Sequence, residues 1–92
     1  MERRLAVASS ARLRWDKIEG RHVLLSPERG LSLSETASEI VQLCDGTRTA
    51  SAIALQCVER YGGADRTKIE EDVRNMLREL LTRGLVVELA GE

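Results

Sequence analysis

Apolar positions along this chain follow two different spacings, and the change falls at Ser34. Before it, Arg12-Leu13-Arg14-Trp15 alternates charged with apolar residues, which predicts a first strand with Leu13 and Trp15 facing a core. Asp16 to Arg21 reads as a polar turn around Gly20. His22-Val23-Leu24-Leu25-Ser26 is the second expected strand, and Pro27 ends it. Pro27-Glu28-Arg29-Gly30 supplies turn chemistry for a return into a third strand, Leu31 to Leu33. Three short strands joined by tight turns predict an antiparallel meander.

After Ser34 the spacing becomes helical. Ala37, Ile40, Val41 and Cys44 form one apolar stripe. Two starts are open to this first helix: Ser34 as a single cap, or Ser32 with Glu35 as a capping box. Asp45-Gly46 stops it. Thr47-Arg48-Thr49 reads as a tight connection in which Thr49 caps a second helix carrying Ile53, Ala54, Cys57, Val58 and Tyr61 and ending at Gly62-Gly63. Asp65 caps the third and longest helix. Its apolar residues Ile69, Val73, Met76, Leu77, Leu80 and Leu81 spread over about 140° of the helix circumference. Gly84 closes it, and Leu85 to Leu89 is an extended tail too apolar to float free. Residues 1–11 show no periodicity and are expected to be a mobile arm, leaving 12–92 as the domain. The expected fold class is α+β and winged-helix-like: a three-stranded antiparallel sheet followed by three helices.

Ninety-two residues support one modest core. Fourteen basic and 15 acidic residues nearly cancel, so no global field favours nucleic acid or an anionic membrane. No apolar run is long enough to span a bilayer, and Leu5-Ala6-Val7 is too short for a signal peptide core. Cys44 and Cys57 both fall on apolar helix stripes. They read as small core residues in a reducing cytoplasm, with a disulfide as the other reading.

Candidate chemistry is sparse. The chain has a single histidine, His22, on an expected strand, and no cysteine pair at metal-ligand spacing, which argues against a zinc site. No nucleophile is paired with a base. Glu70-Glu71-Asp72 suits the first turns of a helix, where carboxylates complement the dipole. The expectation is no enzyme, no metal and no cofactor. For DNA, the third helix has five basic residues (Arg66, Lys68, Arg74, Arg78, Arg83) against five acidic ones (Asp65, Glu70, Glu71, Asp72, Glu79). A phosphate-binding helix needs a basic excess. A winged-helix DNA-binding protein is therefore the alternative reading rather than the first one.

An interaction module fits better. The third strand carries no Pro or Lys to discourage pairing, so its edge is suited to accept an extended peptide as an added strand. Beside it, the third helix has a stripe wider than a three-helix core needs. The candidate peptide-binding residues are Arg29, Gly30, Leu31, Ser32 and Leu33 on the strand side. On the helix side they are Val73, Arg74, Met76, Leu77, Arg78, Leu80 and Leu81.

Taken together these stretches resemble the PqqD family. The likeness rests on Arg12-Leu13-Arg14-Trp15, Val23-Leu24-Leu25 with Pro27-Glu28 and Gly30, and Leu33 with Ala37, Ile40 and Asp45-Gly46. It continues through Ile53, Asp72-Val73 with Leu77, and Gly84-Leu85-Val86. It spans about residues 12 to 89, and order and spacing carry it rather than any one motif. Ser34 stands where the family pattern has Asn, and both are good caps. The Cys44 position departs only in packing. The resemblance implies a peptide chaperone of pyrroloquinoline quinone biosynthesis. Such a protein binds the ribosomally made precursor peptide PqqA and presents it to the radical SAM enzyme PqqE, which joins a Glu to a Tyr within the peptide. It also implies that the leader is held as an added strand between the third strand and the third helix. A monomer or homodimer is expected, without nucleic acid or membrane as partner.

Overall fold

The computed structural model describes residues 2–61 and 65–90. Nine elements follow one another: β1 Arg4–Val7, β2 Arg12–Asp16, β3 Arg21–Leu25, β4 Gly30–Ser32, α1 Glu35–Leu43, β5 Asp45–Thr49, α2 Ala50–Arg60, α3 Arg66–Thr82 and β6 Val86–Glu88. The expected meander is β2-β3-β4, antiparallel, with Leu13 opposite Leu24 and Leu24 opposite Leu31. Its hairpins are closed locally. Asp16 Oδ1 accepts from the Ile18 and Glu19 N–H groups, and Gly20 takes φ +68° in the first turn.

The helix ends follow the expected chemistry. Ser34 Oγ accepts from the Ala37 N–H at 3.1 Å, which settles the cap in favour of Ser34. Thr49 Oγ1 and Asp65 Oδ1 do the same for the Ala52 and Lys68 amides. At the end of α3, Gly84 at φ +73° lets the Leu85 N–H reach the Leu80 carbonyl and its own N–H reach Leu81. Both bonds of a Schellman stop are thus made. The expected end of the second helix at Gly62-Gly63 lies outside the described residues, and α2 is capped at Tyr61.

A second sheet, β5-β1-β6, departs from expectation. The stretch expected as a mobile arm contains its central strand. β1 pairs antiparallel with β6 from Leu5–Glu88 to Val7–Val86, and with β5 through an irregular register between Leu5 and Ala6. Leu5 is 2% exposed. The boundary at residue 12 is therefore corrected: the folded unit takes in β1 and is further tied by Glu2, which accepts from the Ser51 N–H at 2.9 Å. The 47–49 connection is part of β5, and the apolar tail is β6. Four residues of β1 are too few to show a period, and their partners lie some 40 and 80 positions away.

Both sheets and all three helices close on one core. Leu5, Leu24, Val41, Ile53, Leu77, Leu80 and Val86 are its largest fully buried side chains, each contributing about 1.5–3 kcal/mol by burial. Cys44 and Cys57 lie within it as free thiols. Burial pushes the Cys44 thiol up to about 12, with Asp45 adding to the shift, and raises Cys57 as well. Trp15 is a correction: expected in the core, it is 56% exposed. It sits opposite His22, with the two rings edge-on and their centroids 5.0 Å apart. Here the hairpin overhangs α1 and α2, and a cleft of about 510 Å³ separates them. Alternation along β2 is unaffected by whether a helix reaches beneath it.

Candidate functional site

β4 is one of the two outer strands of its sheet. In an antiparallel pair, opposed residues alternate between bonded and unbonded, and each residue's N–H and C=O point to the same side. The Leu33 N–H donates to the His22 carbonyl at 2.9 Å, and the Ser26 N–H to the Arg29 carbonyl at 2.9 Å. By that alternation Leu31 also bonds inward to β3, while the Gly30 and Ser32 amides face the open side. Their side-chain positions are exposed. Leu31 and Leu33 point to the core face, Leu31 half-buried and Leu33 buried. Arg29 serves the turn through its carbonyl, which also accepts from Ser26 Oγ.

On α3, Val73, Leu77 and Leu80 are buried and belong to the core. The remaining apolar residues divide between two flanks. Leu81 and Arg74 lie on the flank covered by α2 and β1. Leu81 meets Leu5 and Ala50 around a small surface cavity, and Arg74 reaches Ser51 Oγ at 2.7 Å, Glu2 at 3.3 Å and Glu70 at 3.4 Å. Arg78 is exposed and donates to Asn75 Oδ1. Met76 is roughly 160° round the helix from Arg74, at 100° per residue. It is half-buried, and so is Ile69 one heptad before it.

The structure thus gathers Leu31, Leu33, Val73, Met76, Leu77 and Leu80 onto one core cluster. It does not bring Arg74 or Leu81 to the Met76 flank. β4 packs on β3, whereas α3 packs on α2, α1 and β6. Strand edge and helix share a core without packing extensively on each other. Ile69 joins this flank although it was absent from the candidate residues, and its seven-residue spacing from Met76 was the available signal. The Lys68–Asp72 and Arg83–Glu79 ion pairs border the flank. Both are exposed, so each adds little stability. Among the described residues no group of His, Cys, Asp and Glu is placed to hold a metal.

These features define a small α+β domain with a strand edge left open and one helix flank partly covered. The model of the family described as "Coenzyme PQQ synthesis protein D (PqqD)" matches residues 21–86. A "PqqA binding protein" of Rhodopseudomonas palustris (strain BisB5) is 45% identical over 92% of this chain and 82% of its own length. The chain belongs to the PqqD family, which is a family of binding proteins rather than enzymes. The PqqD truncation of Methylobacterium extorquens PqqCD is described as a functional, stand-alone recognition element for ribosomally made, modified peptides. Its solution structure superposes with a TM-score of 0.73 at 34% identity, covering 91% of this chain and 88% of that one. TbiB1, solved with the TbiA(β) leader peptide, gives 0.74 at 22% identity over 94% and 99% of the two chains. At that identity the likeness concerns the fold, and it supports the α+β reading.

Proposed function

We propose that this protein binds the precursor peptide PqqA as a strand added to β4 and presents it to the radical SAM enzyme PqqE. The observation that carries this is the pair of outward amides at Gly30 and Ser32, on an edge whose inner bonds are already made. Main-chain bonds to those amides supply affinity, and side-chain pockets supply choice. Arg29, Leu31 and Leu33 flank and back the edge. On the helix side the peptide's apolar residues lean on Met76 and Ile69, with Val73, Leu77 and Leu80 as the rigid wall behind them. Arg74, Arg78 and Leu81 stand outside this groove. Among the described residues no helix is long and apolar enough to cross a membrane, and action in the cytoplasm, where the precursor is made, fits this reading.

Titration with PqqA peptide, followed by NMR, tests it. Shifts are expected to cluster at Arg29 to Leu33 and at Ile69 to Leu80, with an affinity that changes little between low and high salt. Shifts confined to α2 or β1 would remove the peptide from this edge. Affinity for duplex DNA that falls steeply with salt would favour the alternative reading.

A further inference from the structure

The β2–β3 hairpin carries surface features that neither the fold nor the β4 edge uses. Ile18 at its tip is 94% exposed and Trp15 is 56% exposed. The tip is not a loose loop. Asp16 Oδ1 holds the Ile18 and Glu19 amides at 2.9 and 3.2 Å, and the Gly20 N–H closes onto the Asp16 carbonyl at 2.8 Å. A rigid turn that presents a fully solvated isoleucine gains nothing for stability from it. Trp and Arg are the residues most enriched where binding energy concentrates at protein interfaces.

Charge specifies what would cover them. Between Arg12 and Leu25 the basic residues are Arg12, Arg14, Lys17 and Arg21, against Asp16 and Glu19, in a chain whose formal net charge is −1. Arg48, Arg60, Lys68, Arg74 and Arg83 each hold a carboxylate. Among the described residues none of the four hairpin cations has a hydrogen bond or ion pair of its side chain. Arg12 and Arg14 lie on the outer face of the sheet and Trp15 on the inner one. Because β2 is the sheet's other outer strand, an object approaching it edge-on meets both. Charged residues on this edge also disfavour strand addition, so contact is through side chains.

We propose that the β2–β3 hairpin is a second docking surface, and that its occupant is an acidic patch on a folded protein with an apolar spot seated on Trp15 and Ile18. Arginines supply paired donors for carboxylates, and the apolar anchors have no counterpart in a phosphate backbone, which favours protein over nucleic acid. Given the proposed function, on which this identification of the partner rests, that protein is the peptide-modifying enzyme. The β4 edge remains free for the peptide.

Two double variants of the full chain decide it, Trp15→Ser/Ile18→Ser and Arg14→Glu/Arg21→Glu, each titrated against the radical SAM enzyme and, separately, against labelled precursor peptide. Each is expected to lose at least about tenfold in enzyme affinity and to keep peptide affinity within about twofold. Wild-type affinity for the enzyme should weaken between about 50 and 500 mM NaCl, and charge reversal should remove most of that dependence. If removing the aromatic unfolds the protein, the charge-reversed variant still decides. Enzyme affinity equal in wild type and variants, or no wild-type binding to the enzyme, overturns this docking surface. Loss of wild-type peptide binding overturns the proposed function instead. A duplex DNA arm completes the test: wild-type DNA binding abolished by charge reversal would assign the hairpin to nucleic acid and overturn the inference.

Discussion

Sheet β5-β1-β6 collects its strands from residues 4–7, 45–49 and 86–88, whereas β2-β3-β4 takes all three from the unbroken stretch 12–32. The first sheet draws near-terminal strands together around the buried Leu5 and Val86. The second is joined by local turns and holds itself together with short-range bonds. It is therefore the one that can leave an edge, a hairpin tip and unpaired arginines facing water. Both sheets feed the core, the second through Leu24, and under the proposed function it is the open edges of the second that serve recognition. The same division runs down α3: the Arg74 flank is bonded to α2 and the first residues, while the Met76 flank is only half covered.

The sharpest way to break this contrast is at Leu5. Leu5→Ala should cost about 2–5 kcal/mol, as other buried leucines do, read by urea unfolding. A cost near zero would mean that the first sheet is not structural. Next comes the proline pair on β4. Leu31→Pro loses an inner bond to β3 and should destabilise by about 1–3 kcal/mol. Ser32→Pro removes only an outward donor, so it should leave the melting temperature nearly unchanged while weakening peptide binding about tenfold, the equivalent of about 1.4 kcal/mol. If both prolines behave alike, the alternation argument fails.

The two flanks of α3 give a smaller difference. Met76→Ala should lower peptide affinity severalfold, whereas Arg74→Glu should cost about 0.5–1 kcal/mol of stability, typical of partly exposed ion pairs, and spare the peptide. The reverse pattern would move the groove to the α2 side. A chemical test of core closure is smaller still. With the Cys44 thiol pushed up to about 12, almost no thiolate is present near pH 8. Thiol reagents should label the folded protein slowly and the unfolded protein fast. The smallest effect belongs to Glu2. The Ser51 backbone N–H, helped by Ser51 Oγ and Arg74, holds its carboxyl below the ordinary value of 4.5. Its contribution is therefore present above that value and is lost as pH falls through the lowered one. Glu2→Gln should melt slightly earlier than wild type at pH 7, and the gap should close in acid.

Much of the second sheet and the helices was legible from residue order. Thr49 and Asp65 each cap where the pattern placed them, and Ser34 is one of the two starts it left open, because a cap is a contact over three residues. The strand order that puts Gly30 to Ser32 at an edge of the meander was legible for the same reason. The helix half was readable only as a stripe, since periodicity places residues on a face but does not say which neighbour covers each flank. Arg74 is a candidate peptide contact by its place along the helix, yet its partners Glu2 and Ser51 are 72 and 23 positions away.

By itself, then, the sequence determined the caps of the second and third helices, the turns of the meander, the helical stripes and the β2-β3-β4 order, all set by interactions between residues a few positions apart. The tertiary structure alone decided that Arg4–Val7 is a central strand, that Asp45–Thr49 and Val86–Glu88 pair with it, that Trp15 overhangs a cleft and which flank of α3 stays half open. Each of those depends on surface supplied by a distant element, and burial of apolar area is blind to sequence separation. A short apolar segment such as Leu5-Ala6-Val7 carries no mark of the partner that will cover it.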